Sequence, residues 1–305
     1  MNNFNSKELN ISAGNVFIDL RLDYAFKLTF GKPGNEDLLL MLVNAILPHL
    51  GITGVTLANQ EEVGTSPDAR KATLDVHCTT DSGREILIEM QCAEQHDFGE
   101  RMVFYSTFPI QNGVVRGKTG SGAYTFPDIY VIGITDFVMK GTKSIPDPIN
   151  HYSIRNEKYA EIGLTGNLHY VTVELPKLKL TATPTAGDLM LCSIRDIGAM
   201  QEMPEVFRKA GLEKLFEICR FAKLNKHEQM EYLQEFMKKL NEKSVLETAE
   251  MRGLEAGLEK GLAEGRAEGE AEATINTARN FKRLGVPEET IVQATGLTAE
   301  EVAAL

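Results

Sequence analysis

The 305 residues are 43% hydrophobic and 25% charged, ordinary for globular protein and enough for one large domain or two modest ones. A net charge of −11, of which −6 falls in residues 241–305, excludes the basic footprint of a strong nucleic-acid binder and leaves room only for local, salt-sensitive or metal-dependent binding. No apolar run is long enough to span a bilayer, no secretion signal is expected at the N-terminus, and four scattered cysteines (Cys78, Cys92, Cys192, Cys219) point to reduced thiols in a cytoplasm rather than to zinc.

In chain order, Leu20, Tyr24, Lys27 and Phe30 recur near helical spacing and predict a helix over 20–30 that Gly31 closes. Asn35 reads as the N-cap of a second helix, buried nearly all round, with Glu36 and Asp37 at its positive end and Pro48 as its stop. Residues 59–71 are polar and turn-rich, and a β-hairpin follows. Residues 93–108 predict a helix broken at Pro109, and 115–124 a glycine-rich basic loop. The continuous apolar run at 128–137 reads as a strand buried on both sides, and 168–175 alternates as another strand. Beyond about residue 188 the pattern is helical. The expected domains are a core over 1–185, a helical extension over 186–243, a Gly/Glu-rich helical tail over 244–275 and a helix-turn-helix-like end over 276–305.

Within the tail, Gly253, Gly257, Gly261, Gly265 and Gly269 recur every four residues. Glycine costs roughly 1 kcal/mol per helix site relative to alanine, but small residues in series admit a close partner helix. A soluble self-association helix and a solvated linker helix both fit. At the end, Pro287 suits a first helical position, Gly296 a turn, and Thr298 with Glu301 a capping box. The last helix carries acids and no Arg or Lys, which favours packing or dimerisation over groove reading.

The hairpin, Leu74 to Gln91, holds the candidate chemistry. With Asp81-Ser82-Gly83 as a three-residue loop and Gly83 left-handed, Thr80 falls opposite Arg84 and Asp75 opposite Glu89. Alternation then puts Lys71, Thr73, Asp75, His77, Leu87, Glu89 and Gln91 on one face, expected to be polar and solvent-facing. Ala72, Leu74, Val76, Cys78, Ile86, Ile88 and Met90 form an apolar core face. Two opposed carboxylates repel by roughly a few tenths to 1 kcal/mol, and a divalent cation turns that repulsion into binding. Magnesium takes one or two carboxylates, keeps several waters and recruits phosphates. A half-exposed hairpin with routine polar residues is the alternative, and a slip of one residue in the turn would part the two acids.

The stretch "LDVHC…GREILIEMQ" resembles the PD-(D/E)XK nuclease family transposases, or recombination-promoting nucleases. "DYAFKLTFG" at 23–31, "LVNAIL" at 42–47, "RMVFYSTF" at 101–108, "YVIGITDF" at 130–137, "VTVELPKL" at 171–178 and the ending at 286–305 follow in family order. The resemblance implies an α/β, restriction-endonuclease-like core, a mixed central sheet flanked by helices, followed by a helical C-terminal region. It also implies DNA cleavage with Mg²⁺, for which Mn²⁺ substitutes. Asp75 matches the metal-binding aspartate, Glu89 the second carboxylate, and the Met90 carbonyl a backbone ligand. Gln91 stands where the wider superfamily often has lysine; glutamine can hydrogen-bond water but lends no charge. Asp23 is a candidate contact to these ligands or to a second metal, with a surface acid as the alternative. Arg101 and Tyr105, four apart on one helix face, are expected toward the site, Arg101 meeting phosphate unless it serves a structural carboxylate. His77 reads as a bystander. Asp68, 21 residues before Glu89, competes with Asp75, but lies in a polar loop with no fixed face. Two functions stand: a metal-dependent DNA endonuclease, or a non-catalytic interaction protein on the same scaffold that assembles through its tail.

Overall fold

The computed structural model describes residues 16–58, 74–95, 97–113 and 124–305. Asp68, Lys71, Ala72, Thr73 and most of the basic loop fall outside the described residues. The chain divides into two units, 1–237 and 238–305.

The first unit is built on a six-stranded mixed sheet. Its strands are β1 (Val55–Leu57), β2 (Val76–Thr80), β3 (Glu85–Gln91), β4 (Ile129–Thr135), β5 (Ile149–Ser153) and β6 (Leu168–Glu174), in the order β1-β2-β3-β4-β6-β5. β3, β4 and β6 run parallel at the centre, and β1, β2 and β5 are antiparallel to their neighbours. All seven residues of β4 are buried, as its unbroken apolar run requires of a strand covered on both faces. The short β1 and the half-exposed β5 carry too little apolar signal to be read in advance.

Helix α1 (Asp23–Phe30) packs on β3, and α2 (Glu36–Ile46) packs on α1, β1 and α4 (Ala186–Asp196). α1 starts at Asp23 rather than residue 20, because Asp19 accepts the Arg21 backbone N–H at 3.0 Å and holds the chain in a turn. The Asn35 side chain does not cap α2; it donates to the Thr29 carbonyl at 3.0 Å. α3 (Phe98–Gly113) does not break at Pro109. A proline there removes a single hydrogen bond near the helix end, and Phe108 and Ile110 still bury against the core.

Arg21 ties this arrangement together by pairing with Asp19 at 2.7 Å and Asp136, just past β4, at 3.0 Å. Burial pushes the Asp136 carboxyl up to about 6, outweighing the opposing pull of Arg21. A carboxyl that holds its proton more tightly when folded contributes stability below its unfolded pKa near 4 and loses it as pH rises to about 6. Urea denaturation at pH 4.5 and 7 should therefore show a smaller pH-dependent loss in Asp136→Asn than in the parent.

α5 (Glu205–Lys209) and α6 (Glu213–Ile218) precede α7 (Lys226–Arg283), a single helix of 58 residues. The first part of α7 lies in the first unit, where Tyr232 and Phe236 are buried. In the second unit, α8 (Glu288–Thr295) and α9 (Ala299–Ala304) close on the end of α7 through Ala278, Ile291 and Val302. Pro287 is the N-cap of α8, one position before the expected first turn. Gly296 is left-handed (φ 73°), and Thr298 and Glu301 form the capping box. Lys282 donates to the carbonyls of Val302 and Ala303, both at 2.9 Å, where the negative end of α9 needs a cation.

Candidate active site

The hairpin turn sets the register. Gly83 is left-handed (φ 79°), and the Thr80 N–H donates to the Arg84 carbonyl at 2.9 Å. Val76 pairs with Ile88 and Thr79 with Glu85, so the next step toward the N-terminus brings Asp75 to the level of Glu89. The face shared by these acids is not solvent-facing. Phe98, Met102, Tyr105 and Phe108 of α3 cover it, packing on Leu87, Ile129 and Val131; Leu74, just before β2, joins this cluster rather than the opposite face. Asp75 is 2% exposed, Glu89 7% and Gln91 6%.

Among the described residues, two donors hold Asp75. Its Oδ2 accepts the Met90 backbone N–H at 2.7 Å, and its Oδ1 lies 3.0 Å from Lys27 Nζ. Glu89 Oε1 accepts from Arg101 Nη2 at 2.9 Å and from the Tyr105 hydroxyl at 3.3 Å. Glu89 Oε2 is buried with no hydrogen-bond partner among the described residues. Burial raises both carboxyls well above the ordinary range, and the Asp75 charge raises Glu89 further; Lys27 and Arg101 pull the other way. Asp23, the first residue of α1, adds a third negative charge that bears on Asp75, Glu89 and Lys27. Its helix is fixed by Glu235 of α7, whose carboxylate accepts the backbone N–H of Asp23 at 3.1 Å and of Tyr24 at 2.8 Å.

A family model described as PD-(D/E)XK nuclease family transposase matches residues 20–249. The chain belongs to the PD-(D/E)XK nuclease family transposases. Compared with curated proteins and with solved structures, it matches none. Its sheet and flanking helices are the restriction-endonuclease-like fold of this family, and the family points to a function of the nuclease type. No helix among the described residues is long and apolar enough to cross a membrane.

PD-(D/E)XK nucleases generally use a divalent metal, and the donor set here fits one. An orphaned buried carboxylate oxygen beside a second buried acid is an arrangement that a cation completes. No group of three His, Cys, Asp or Glu side chains suited to a metal occurs among the described residues. The Gln91 carbonyl accepts the Asp136 N–H at 3.0 Å on the β4 side. Backbone groups alternate along a strand, so the Met90 carbonyl points to the other edge, toward Asp75.

The Gln91 amide is engaged at both ends. Nε2 donates to the Ala93 carbonyl at 2.8 Å, and Oε1 accepts from Arg101 Nη2. Arg101 also donates to Gln95 Oε1 at 2.8 Å and lies against the rings of Phe98 and Tyr105. It thus makes the carboxylate contact given above as the alternative to meeting phosphate. His77 pairs with Glu85 at 2.6 Å, down the strand from the acids. Sequence reasoning missed Lys27, whose one available signal was its place four residues after Asp23, hence on the same helix face.

Proposed function

We propose that the chain is a Mg²⁺-dependent DNA endonuclease, with Mn²⁺ able to substitute, that hydrolyses phosphodiester bonds in the cytoplasm in a mobile-element, recombination or defence setting. The observation that carries this reading is the buried Asp75–Glu89 pair with its orphaned Glu89 oxygen. Asp75, Glu89 and the Met90 carbonyl would hold the ion, which supplies Lewis-acid polarisation of the phosphodiester and eases attack by water. Arg101 and Tyr105 hold Glu89 Oε1, which would leave Oε2 for the ion. Gln91 anchors Arg101 in that pose, and Asp23 adds negative charge that draws a cation to a chain of net charge −11. The test is nicking of supercoiled plasmid by purified protein with Mg²⁺ or Mn²⁺, with EDTA as control. Cleavage unaffected by EDTA would reject the reading.

The second reading, an interaction protein assembling through the tail, is favoured by one observation. Leu254, Leu258 and Leu262 of α7 are 75%, 63% and 65% exposed, and nothing lies within 4 Å of a Cβ built on Gly253, Gly257, Gly261, Gly265 or Gly269. Leucines that exposed on one helix flank call for a partner helix. The full chain is expected to sediment as an oligomer, and Leu254→Glu with Leu258→Glu to return it to monomer. An unchanged sedimentation coefficient would remove the tail as the contact.

A further inference from the structure

One row of paired positions crosses the sheet: Glu89 beside Gly133, Gly133 beside Thr172, and Thr172 beside Asn150. Neighbouring strands lie about 4.8 Å apart, so Thr172 sits roughly 10 Å from Glu89 across the same face. α3 separates the two places. Its Arg101 and Tyr105 hold Glu89, whereas Gly99, Met102 and Val103, spaced i, i+3 and i+4, line a cleft of about 520 Å³ on its other flank. Thr172 and Asn150 line this cleft too, beside the paired Tyr152 and Tyr170. Such a volume suits an organic group rather than an ion. Among the described residues the lining holds no Asp, Glu, Lys or Arg, and burial pushes its histidine, His151, further toward the neutral form. The group that enters is therefore uncharged. Thr172 is 2% exposed, and its Oγ1 is buried with no hydrogen-bond partner among the described residues. Asn150 commits only its Nδ2 there, in two bonds of 3.3 Å. An apolar side chain in the cleft would leave the hydroxyl and the amide oxygen unpaired. A nucleobase would pair them along its edge and offer its faces to the tyrosine rings.

We propose that this cleft receives one unstacked nucleobase of the DNA strand on which the acids act, with Thr172 and Asn150 meeting its polar edge and Tyr152 lying against its ring. The assignment rests on the nuclease reading above and adds the form of DNA preferred. A base inside a duplex hides its faces in the stack and its pairing edge in its partner. The cleft therefore selects single-stranded DNA, or a place where a base is already unpaired. Its uncharged lining suits a chain of net charge −11: phosphates gain little from such a protein, and base contacts take a larger share of the affinity.

The test uses the full chain and reads binding rather than turnover. The probes, followed by fluorescence anisotropy in Ca²⁺, are a short labelled single strand, its duplex, and an abasic strand with the same phosphates and no bases. The parent is expected to bind the single strand more tightly than the duplex, and the abasic strand about tenfold more weakly, the scale of one stacked base. Gly99→Leu adds bulk where a built Cβ meets nothing within 4 Å, on the helix face that lines the cleft. It should weaken the single strand about tenfold and leave the abasic strand unchanged. Thr172→Val keeps the shape of the cleft and should weaken the single strand roughly threefold. Because it removes an unpaired buried hydroxyl, it should also melt at or above the parent temperature, which separates lost binding from lost folding. Equal affinity of the parent for normal and abasic strands would overturn the proposal, as would parent-like binding by both variants. A changed sedimentation coefficient in Gly99→Leu with unchanged DNA binding would also overturn it, marking the cleft as a contact between copies of the chain. Plasmid nicking with base-independent binding sinks the cleft alone. Base-dependent binding without nicking keeps the base site and sinks the nuclease reading. A parent that binds none of the three probes sinks both.

Discussion

Asp75→Ala and Glu89→Ala are each expected to cut metal-dependent nicking about 10²-fold or more, because the proposed ion would be left with one carboxylate in place of two. A Lewis-acidic ion so held would supply several kcal/mol of transition-state stabilisation, and each 1.36 kcal/mol is tenfold in rate. A parallel measurement separates lost chemistry from lost folding. Glu89→Gln keeps acceptors for Arg101 and Tyr105 but removes a buried negative charge beside Asp75. Without added metal it is expected to melt at or above the parent temperature, since two like charges in one buried site repel. Added Mn²⁺ raises the melting temperature of the parent by mass action and leaves Glu89→Gln unmoved. Parent-level cutting by both alanine variants would mean that the acids hold no catalytic ion and that the activity comes from elsewhere.

Much of this site was readable because its register is a local matter. Gly83 has to be left-handed, that fixes a three-residue loop, and the loop sets Asp75 level with Glu89. The environment of the face was not readable, because its cover comes from a distant segment. Alternation within the hairpin cannot show that Phe98, Met102 and Tyr105 will close over Leu87 and turn a polar face into a buried one. Leu74 was misplaced for a related reason: it precedes β2, where strand alternation no longer sets direction. Lys27 meets Asp75 across more than 40 residues of sequence and Glu235 meets the start of α1 across more than 200, so no spacing rule reveals either contact. The capping box at Thr298 and Glu301 was legible for the opposite reason, being complete within four residues.

Gly133→Val is expected to disable the candidate site without touching an acid. Gly133 lies on β4 directly beside Glu89 in the parallel register. A Cβ built there falls 2.7 Å from Phe98 Cε1 and Cζ and 2.9 Å from Met102 Sδ, closer than real side chains approach. Those residues are 1% and 3% exposed, so neither has open space to enter, and the strain passes to α3. α3 carries Arg101 and Tyr105, the two groups that hold Glu89 Oε1. Removing glycine from a strand recovers about 0.5–1 kcal/mol of chain entropy. Overpacking a core costs about 1–3 kcal/mol for one added methyl and more for a branched side chain, so the clash wins. Gly133→Ala should therefore unfold at lower urea, and Gly133→Val should lose Mn²⁺-linked stabilisation as well. The cause is checked by a cycle: Phe98→Leu shortens the ring that blocks the methyl, and its cost combined with Gly133→Ala should be less than the two single costs added. Strict additivity would show that Gly133 does not set the height of α3, and the small residue beside Glu89 would then have no part in shaping the site.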